Sequence, residues 1–368
     1  MRCFFADTRE EGHMSLREQI ELNKNDIAGS RTKNRLTVQV SYAMQLIMEY
    51  YSMDYVILMD YIEDVVIIEN PDEPTGIHLY QIKTKSSDKQ YTLSTVIKDE
   101  WFQKLYKNAQ KYEGNVKEAS LVCNTDIVVK QENVFANTKS NLADMKEDSN
   151  VKKIVKAIAG DLNISEQEVD LSQFYFVKSN LSIKGHKDEV EHQFENFLLK
   201  EDSNLQVATA RAIFRTIYDE LDAKFNWELD ENCSDIGEIF KMKGVISTDI
   251  NNAICTGLAI QLPDANKLFD TFGITSVKEI REYTQRYSMI KMDMFSKKEV
   301  LINTRKEIIS LVKEVVDSGI EEFPDILIDV YDKCENRDCI PVAYSEEYYL
   351  KLLIMLLIYK YCYGGESI

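Results

Sequence analysis

From Leu36 onward the apolar positions fall at helical spacing. Leu36, Val40, Ala43, Met44, Ile47, Tyr50 and Tyr51 recur three or four apart, which predicts a helix capped by Thr32 or Thr37. Three short strand patterns follow. Tyr55–Met59 is wholly apolar, Asp64–Ile68 is β-branched after its acid, and Ile77–Thr84 alternates. Asn70 to Gly76, with Pro71 and Pro74, is turn chemistry between the last two. Trp101–Tyr112 reads as a helix and Ala119–Cys123 as a fourth strand. The order helix, three strands, helix, strand predicts an α/β core, a central mixed sheet flanked by helices.

Beyond about Asn150 the pattern becomes mostly helical. Val151–Leu162, Lys187–Leu199, Leu205–Phe225 and Ile236–Ile246 read as helices, with one strand at Phe174–Val177. After Pro263 the helical stretches are Thr275–Tyr287, Lys297–Asp317, Pro324–Asp332 and Glu346–Tyr361. The expected divisions are an N-terminal extension and helix over 1–25, an α/β domain over 26–148, a mostly helical middle region over 149–250 and a helical C-terminal domain over 251–368. Met14 offers an alternative start ahead of a polar helix, Ser15–Lys24. In the last helix Tyr349, Leu352, Leu353, Leu356 and Leu357 form a wide apolar stripe, which serves either a bundle core or contacts between subunits.

Five prolines and 13 glycines in 368 residues favour long helices over a turn-rich all-β fold. No apolar run reaches the ~18 residues of a membrane span. Asp7, Glu10 and Glu11 exclude a signal-peptide pattern, so a cytoplasmic protein is expected. Seven irregularly spaced cysteines fit reduced thiols. Cys334 and Cys339 are a C-x4-C pair, but zinc needs two further ligands and no histidine lies near in sequence.

Candidate chemistry centres on Gln81 and Lys83, which project from one face of an alternating strand. A lysine in an apolar strand is costly unless paired or exposed. Asp64 opens the preceding strand. Antiparallel pairing brings it to Gln81 and Lys83 if paired residue numbers sum to an odd value; an even sum brings Glu63 instead. A carboxylate and an amide oxygen can hold Mg²⁺ or Mn²⁺, both of which favour oxygen ligands. Such a cation acidifies water and polarises a phosphate, while a lysine offsets developing charge. The same residues also suit a solvated edge strand whose Lys83 and Lys85 face water. Glu69 and His78 fall on the faces opposite Asp64 and Lys83 and read as packing.

The motifs Gly29-Ser30 to Arg35, Val38-Gln39, Glu63-Asp64-Val65-Val66, Tyr80-Gln81-Ile82-Lys83-Thr84-Lys85 and Leu121-Val122-Cys123-Asn124-Thr125, taken in order, resemble bacterial anti-phage effector nucleases of the PD-(D/E)XK superfamily. Some of these are fused to cyclic-nucleotide sensors in CBASS defence, and others act with a HerA-type hexameric ATPase. The likeness spans about residues 26–126 and extends more weakly, through Leu171–Leu181, towards 250. It implies a restriction-endonuclease-like core and a metal-dependent DNA endonuclease. By position, Asp64 matches the metal-binding aspartate, Gln81 the residue replacing the usual acid, and Lys83 the catalytic lysine. Gln39 matches a polar residue that the first helix aims at the site. Read from the residues alone, Gln39 is as well a core amide.

Lys85 shares the face of Lys83 and is expected to touch phosphate; Arg31, Lys33 and Arg35 are candidates for the DNA backbone. The net charge of −18 argues against a large basic footprint. Residues 1–125 hold 15 basic and 19 acidic side chains against 29 and 43 in the remainder, so the acid lies mainly towards the C-terminus. The expected partners are double-stranded DNA, further copies of the chain and a HerA-like ATPase that would present the duplex. The alternatives are a cyclic-oligonucleotide-gated nuclease and a catalytically silent scaffold for the ATPase.

Overall fold

The structure is a computed structural model and describes residues 15–22, 33–85, 90–112, 114–202, 205–229, 235–259, 262–295, 299–337 and 340–364. The chain divides into two compact units. The first gathers the described parts of 1–43, 54–184 and 221–246, and the second those of 44–53, 185–220 and 247–368.

In chain order the first unit carries α1 (Leu16–Leu22), the start of α2 (Lys33–Glu49), β1 (Tyr55–Met59), β2 (Val65–Glu69), β3 (Gly76–Lys83), β4 (Tyr91–Thr92), α3 (Leu93–Lys98) and α4 (Trp101–Gln110). Then come β5 (Val116–Cys123), β6 (Ile127–Val129), β7 (Glu132–Asn133), β8 (Lys139–Asn141), α5 (Ser149–Leu162) and β9 (Phe174–Lys178). The second unit takes the end of α2, then α6 (His186–Glu201) and most of α7 (Val207–Asn226); α8 (Ile236–Lys243) and β10 (Gly244–Ile246) return to the first.

Seven strands form one mixed sheet in the order β10-β1-β2-β3-β5-β9-β8. β1 to β3 make an antiparallel meander, and β5 runs parallel to β3 and to β9. A second, three-stranded sheet holds β4, β6 and β7. The expected α/β core is therefore present, with strand limits within three residues of the sequence pattern. Alternation explains the core. Val56, Leu58, Val66, Ile68, Ile77, Leu79, Leu121 and Phe176 share one buried cluster with apolar residues of α1, α3, α4, α5 and α8.

Two readings need correction. Ile236–Ile246 is not one helix: it ends at Lys243, and Gly244–Ile246 becomes edge strand β10, with Val245 opposite Ile57. A side chain at 244 would press on the Phe240 carbonyl and on Val56 and Leu58, at 2.6, 2.7 and 3.0 Å from a β-carbon, so glycine lets the backbone approach. Asp64, expected to open the second strand, precedes it, at the end of the turn that Asp60 begins with φ 48° and a bond from its N–H to the Asp64 carbonyl (3.1 Å).

In the second unit follow α9 (Ser247–Ala259), α10 (Ala265–Thr271), α11 (Val277–Asp293), α12 (Glu299–Asp317), α13 (Phe323–Arg337) and α14 (Glu347–Gly364). The mainly helical C-terminal region is thus as the pattern implies. The α14 stripe is a bundle core: Tyr349, Leu352, Leu353, Leu356 and Leu357 are all buried, against α10, α11, α12 and α13. Among the described residues no helix is long and apolar enough to cross a membrane. Cys334 is a buried thiol; its expected pair-mate Cys339 lies outside the described residues.

Candidate active site

The register between β2 and β3 pairs Val65 with Tyr80, an odd sum, so the position before Val65 falls opposite Gln81. Asp64 is at that position. Its Oδ2 accepts the Ile82 backbone N–H at 2.5 Å, which ties the acid to the strand that carries Gln81 and Lys83. On its other side β3 pairs with β5, placing Lys83 opposite Cys123. Just past the strand, Asn124 clamps the chain: its Oδ1 accepts the Lys85 N–H at 2.9 Å and its Nδ2 donates to the Lys85 carbonyl at 3.1 Å.

Glu63 joins the cluster although the register favours Asp64. Its Oε1 accepts from Asn108 Nδ2 of α4 at 2.8 Å, and its Oε2 takes a longer bond from Gln81 Nε2 at 3.5 Å. Burial pushes the Glu63 carboxyl up to about 7. The Asn108 bond opposes that rise, the neighbouring Asp64 charge adds to it, and Lys83 and Gln81 oppose it. Burial raises the Asp64 carboxyl too, against the charge of Lys83, the Ile82 N–H and a hydrogen bond from Gln39; Asp60 pushes in the same direction as burial. Cys123 is an inert thiol, pushed up by burial despite the facing Lys83.

Two oxygens here have no partner. Gln81 and Gln39 each turn an amide towards a carboxylate, and both Oε1 atoms are buried without a hydrogen bond. A buried polar atom left unpaired costs ~1–3 kcal/mol, and reversing the Gln81 amide would set its oxygen against Glu63. Among the described residues no group of three or more His, Cys, Asp or Glu could hold a metal ion. What the site offers is one carboxylate with two neutral amide oxygens, a donor set whose chemistry fits a hard divalent cation.

A cavity of about 300 Å³ adjoins this cluster, lined by Gln39, Ile82, Lys83, Thr84, Lys85, Tyr91 and Trp101. Asp64, Gln81, Lys83 and Gln39 are therefore brought together, and Lys85 reaches the same cavity. Its ammonium donates to the Gln90 carbonyl at 3.2 Å and stands 5.0 Å over the Tyr91 ring. Arg31 lies outside the described residues. Lys33 and Arg35 fall in the first turn of α2, with their side chains outside the described set. His78 and Glu69 pair with each other at 2.8 Å, away from the cluster.

Sequence reasoning missed Asn108 and treated Glu63 only as the product of the other register. A signal for Asn108 existed. It falls on the helix face of Trp101, Leu105 and Tyr112, a lone amide on an apolar stripe.

The family described as "Cap4, dsDNA endonuclease domain" matches residues 27–224, more than half of the chain. The chain belongs to the Cap4 dsDNA endonuclease domain family. The resemblance to anti-phage effector nucleases is borne out at that level. The chain is also 26% identical, over 341 residues, to Lamassu protein LmuA of Bacillus cereus (strain VD014), covering 90% of this chain and 93% of that protein. Among solved structures it is similar to a Cap4 SAVED/CARF-domain containing receptor of Moraxella osloensis (15% identity, TM-score 0.37, 62% of this chain and 49% of that one). A receptor of the same description from Acinetobacter baumannii gives 13% identity and a TM-score of 0.38, over 63% and 48%. The chain spans about half the length of these receptors.

Proposed function

We propose that this nuclease-family chain is a metal-dependent endonuclease for double-stranded DNA, an effector of anti-phage defence, with its site at Asp64, Gln81 and Lys83. The observation that carries the reading is the buried, unpartnered Oε1 of Gln81, on the residue that the register sets opposite Asp64 and two residues from Lys83. Asp64 and Gln81, with Gln39 in support, would hold Mg²⁺ or Mn²⁺. Bound there, the cation would supply an acidified water and Lewis-acid stabilisation of the phosphate.

The chain's own residues do the remainder. The Lys83 ammonium orients the attacking water and offsets the negative charge that builds on the phosphate. Glu63 holds the NH₂ of Gln81 and so leaves its oxygen free, where it would serve as a ligand to the cation. Asn108 holds Glu63 in turn. Lys85, at the mouth of the same cavity, contacts a DNA phosphate, and Arg31, Lys33 and Arg35 add backbone contacts.

The proposal extends to assembly. The chain acts as a homo-oligomer with a separate ATPase, HerA-like by the sequence expectation, that delivers the duplex. The test is incubation of the purified protein with supercoiled plasmid and Mg²⁺, with and without the ATPase. Nicked or linear product that vanishes with EDTA is expected. Intact plasmid under every condition would contradict the reading.

A further inference from the structure

The cavity beside Lys83 has an aromatic wall that phosphate hydrolysis does not require. Trp101, the first residue of α4, is partly exposed there, and its ring meets that of Tyr91 in a T-shaped contact, 4.8 Å apart at 85°. Tyr91 is only 8% exposed and lies beneath the Lys85 ammonium. Trp101 is therefore the aromatic surface that the cavity offers to a visitor. The volume, about 300 Å³, lies at the small end of the ~300–1,000 Å³ range of small-molecule sites. It is bounded by an ammonium at Lys83, an amide at Gln39 and an indole at Trp101.

We infer that this cavity receives one unstacked nucleobase of the strand being cut, resting on Trp101 while Lys83 and Lys85 engage the adjoining phosphates. The inference rests on the nuclease reading and narrows its substrate class. A base inside an intact duplex cannot enter a pocket. Extrusion costs least where the base is mismatched, bulged or terminal. Stacking on an aromatic ring is tolerant of base identity, because every base has a π-face. The enzyme thus favours duplexes with a local pairing defect at the scissile position, with little sequence preference.

The test has two arms. The first is binding without metal, in EDTA: a duplex carrying a bulged 2-aminopurine is titrated with wild type, Trp101→Ala and Trp101→Leu, the leucine keeping apolar volume without a flat ring. Wild type should quench the fluorophore and both variants should lose the quench; circular dichroism establishes that they fold. The second arm is cleavage in Mg²⁺ of a bulged and a matched duplex. Wild type should cut the bulged duplex at least roughly five-fold faster, and the ratio should fall towards one in the variants. A quench without cleavage of any DNA would sink the nuclease reading and keep the base subsite. Equal cleavage of both duplexes, with no wild-type quench, would overturn the subsite and keep the nuclease. A variant that retains wild-type quench and preference also overturns it.

Discussion

At the scale of single residues, the site sets buried carboxylates against one ammonium and two amides. Asp64→Ala should abolish cleavage by weakening metal binding, so excess Mn²⁺ should restore part of the activity; calorimetry with Mn²⁺ should show the weakened binding directly. Gln81→Glu supplies a charged ligand in place of a neutral one and should bind Mg²⁺ at least as tightly as wild type. Glu63 makes a pH prediction for the metal-free protein. Its folded carboxyl lies at about 7 and its unfolded one at 4.5, so below about 4.5 it is neutral in both states. Between about 4.5 and 7 the folded protein keeps a proton that the unfolded chain releases, so stability falls across that window and levels off above it, where the folded protein carries the buried charge. Glu63→Gln keeps an acceptor for Asn108 without the charge. Its melting temperature should match wild type at a pH below 4.5 and exceed it above 7. Equal melting at both pH values would show that Glu63 is not buried as described.

At the scale of elements, the strand register carries the site and a glycine carries the sheet edge. Gly244→Ala should destabilise by ~1–3 kcal/mol, because the added methyl meets a carbonyl and two packed side chains. Gly160→Ala is the control. It is exposed in α5 with nothing within 4 Å of the added carbon, and should stabilise by ~0.5–1 kcal/mol. Chemical denaturation of both variants tests this, and a neutral Gly244→Ala would mean that β10 does not pair as described. These elements show why some of the fold was legible and some was not. β1, β2 and β3 are readable because period two and the proline-rich turn agree. Asp64 opposite Gln81 was readable only as one of two registers, since pairing leaves no mark on either strand alone. Glu63 was passed over because register treats 63 and 64 as alternatives, whereas the turn from Asp60 lets both reach the cluster. β10 was hidden because Val245 and Ile246 continue the apolar run of α8. The small β4-β6-β7 sheet escaped for a different reason: its strands are two or three residues long, too short for a period to show.

At the scale of the whole molecule, charge and burial limit what the chain does alone. With a net charge of −18, its binding to DNA should be weak and should fall steeply with salt, as backbone contacts release counterions. Anisotropy titrations between 50 and 200 mM salt, with roughly that range sufficient to expose the slope, would check this; tight, salt-insensitive binding would mean that the interface lies elsewhere. The α14 stripe is spent on the bundle core, so a truncation that removes α14 should unfold the helical region, read as lost helical circular dichroism, rather than merely shrink an assembly. The central claim, that Lys83 is the catalytic lysine of a metal-dependent nuclease, is tested most directly by plasmid cleavage in Mg²⁺ with Lys83→Ala. Loss of one hydrogen-bond donor to a developing oxyanion costs ~2.7–4 kcal/mol, so without the Lys83 ammonium cleavage should drop by at least about 100- to 1,000-fold with the fold intact by circular dichroism. A folded Lys83→Ala protein that cuts plasmid as fast as wild type would contradict the assignment.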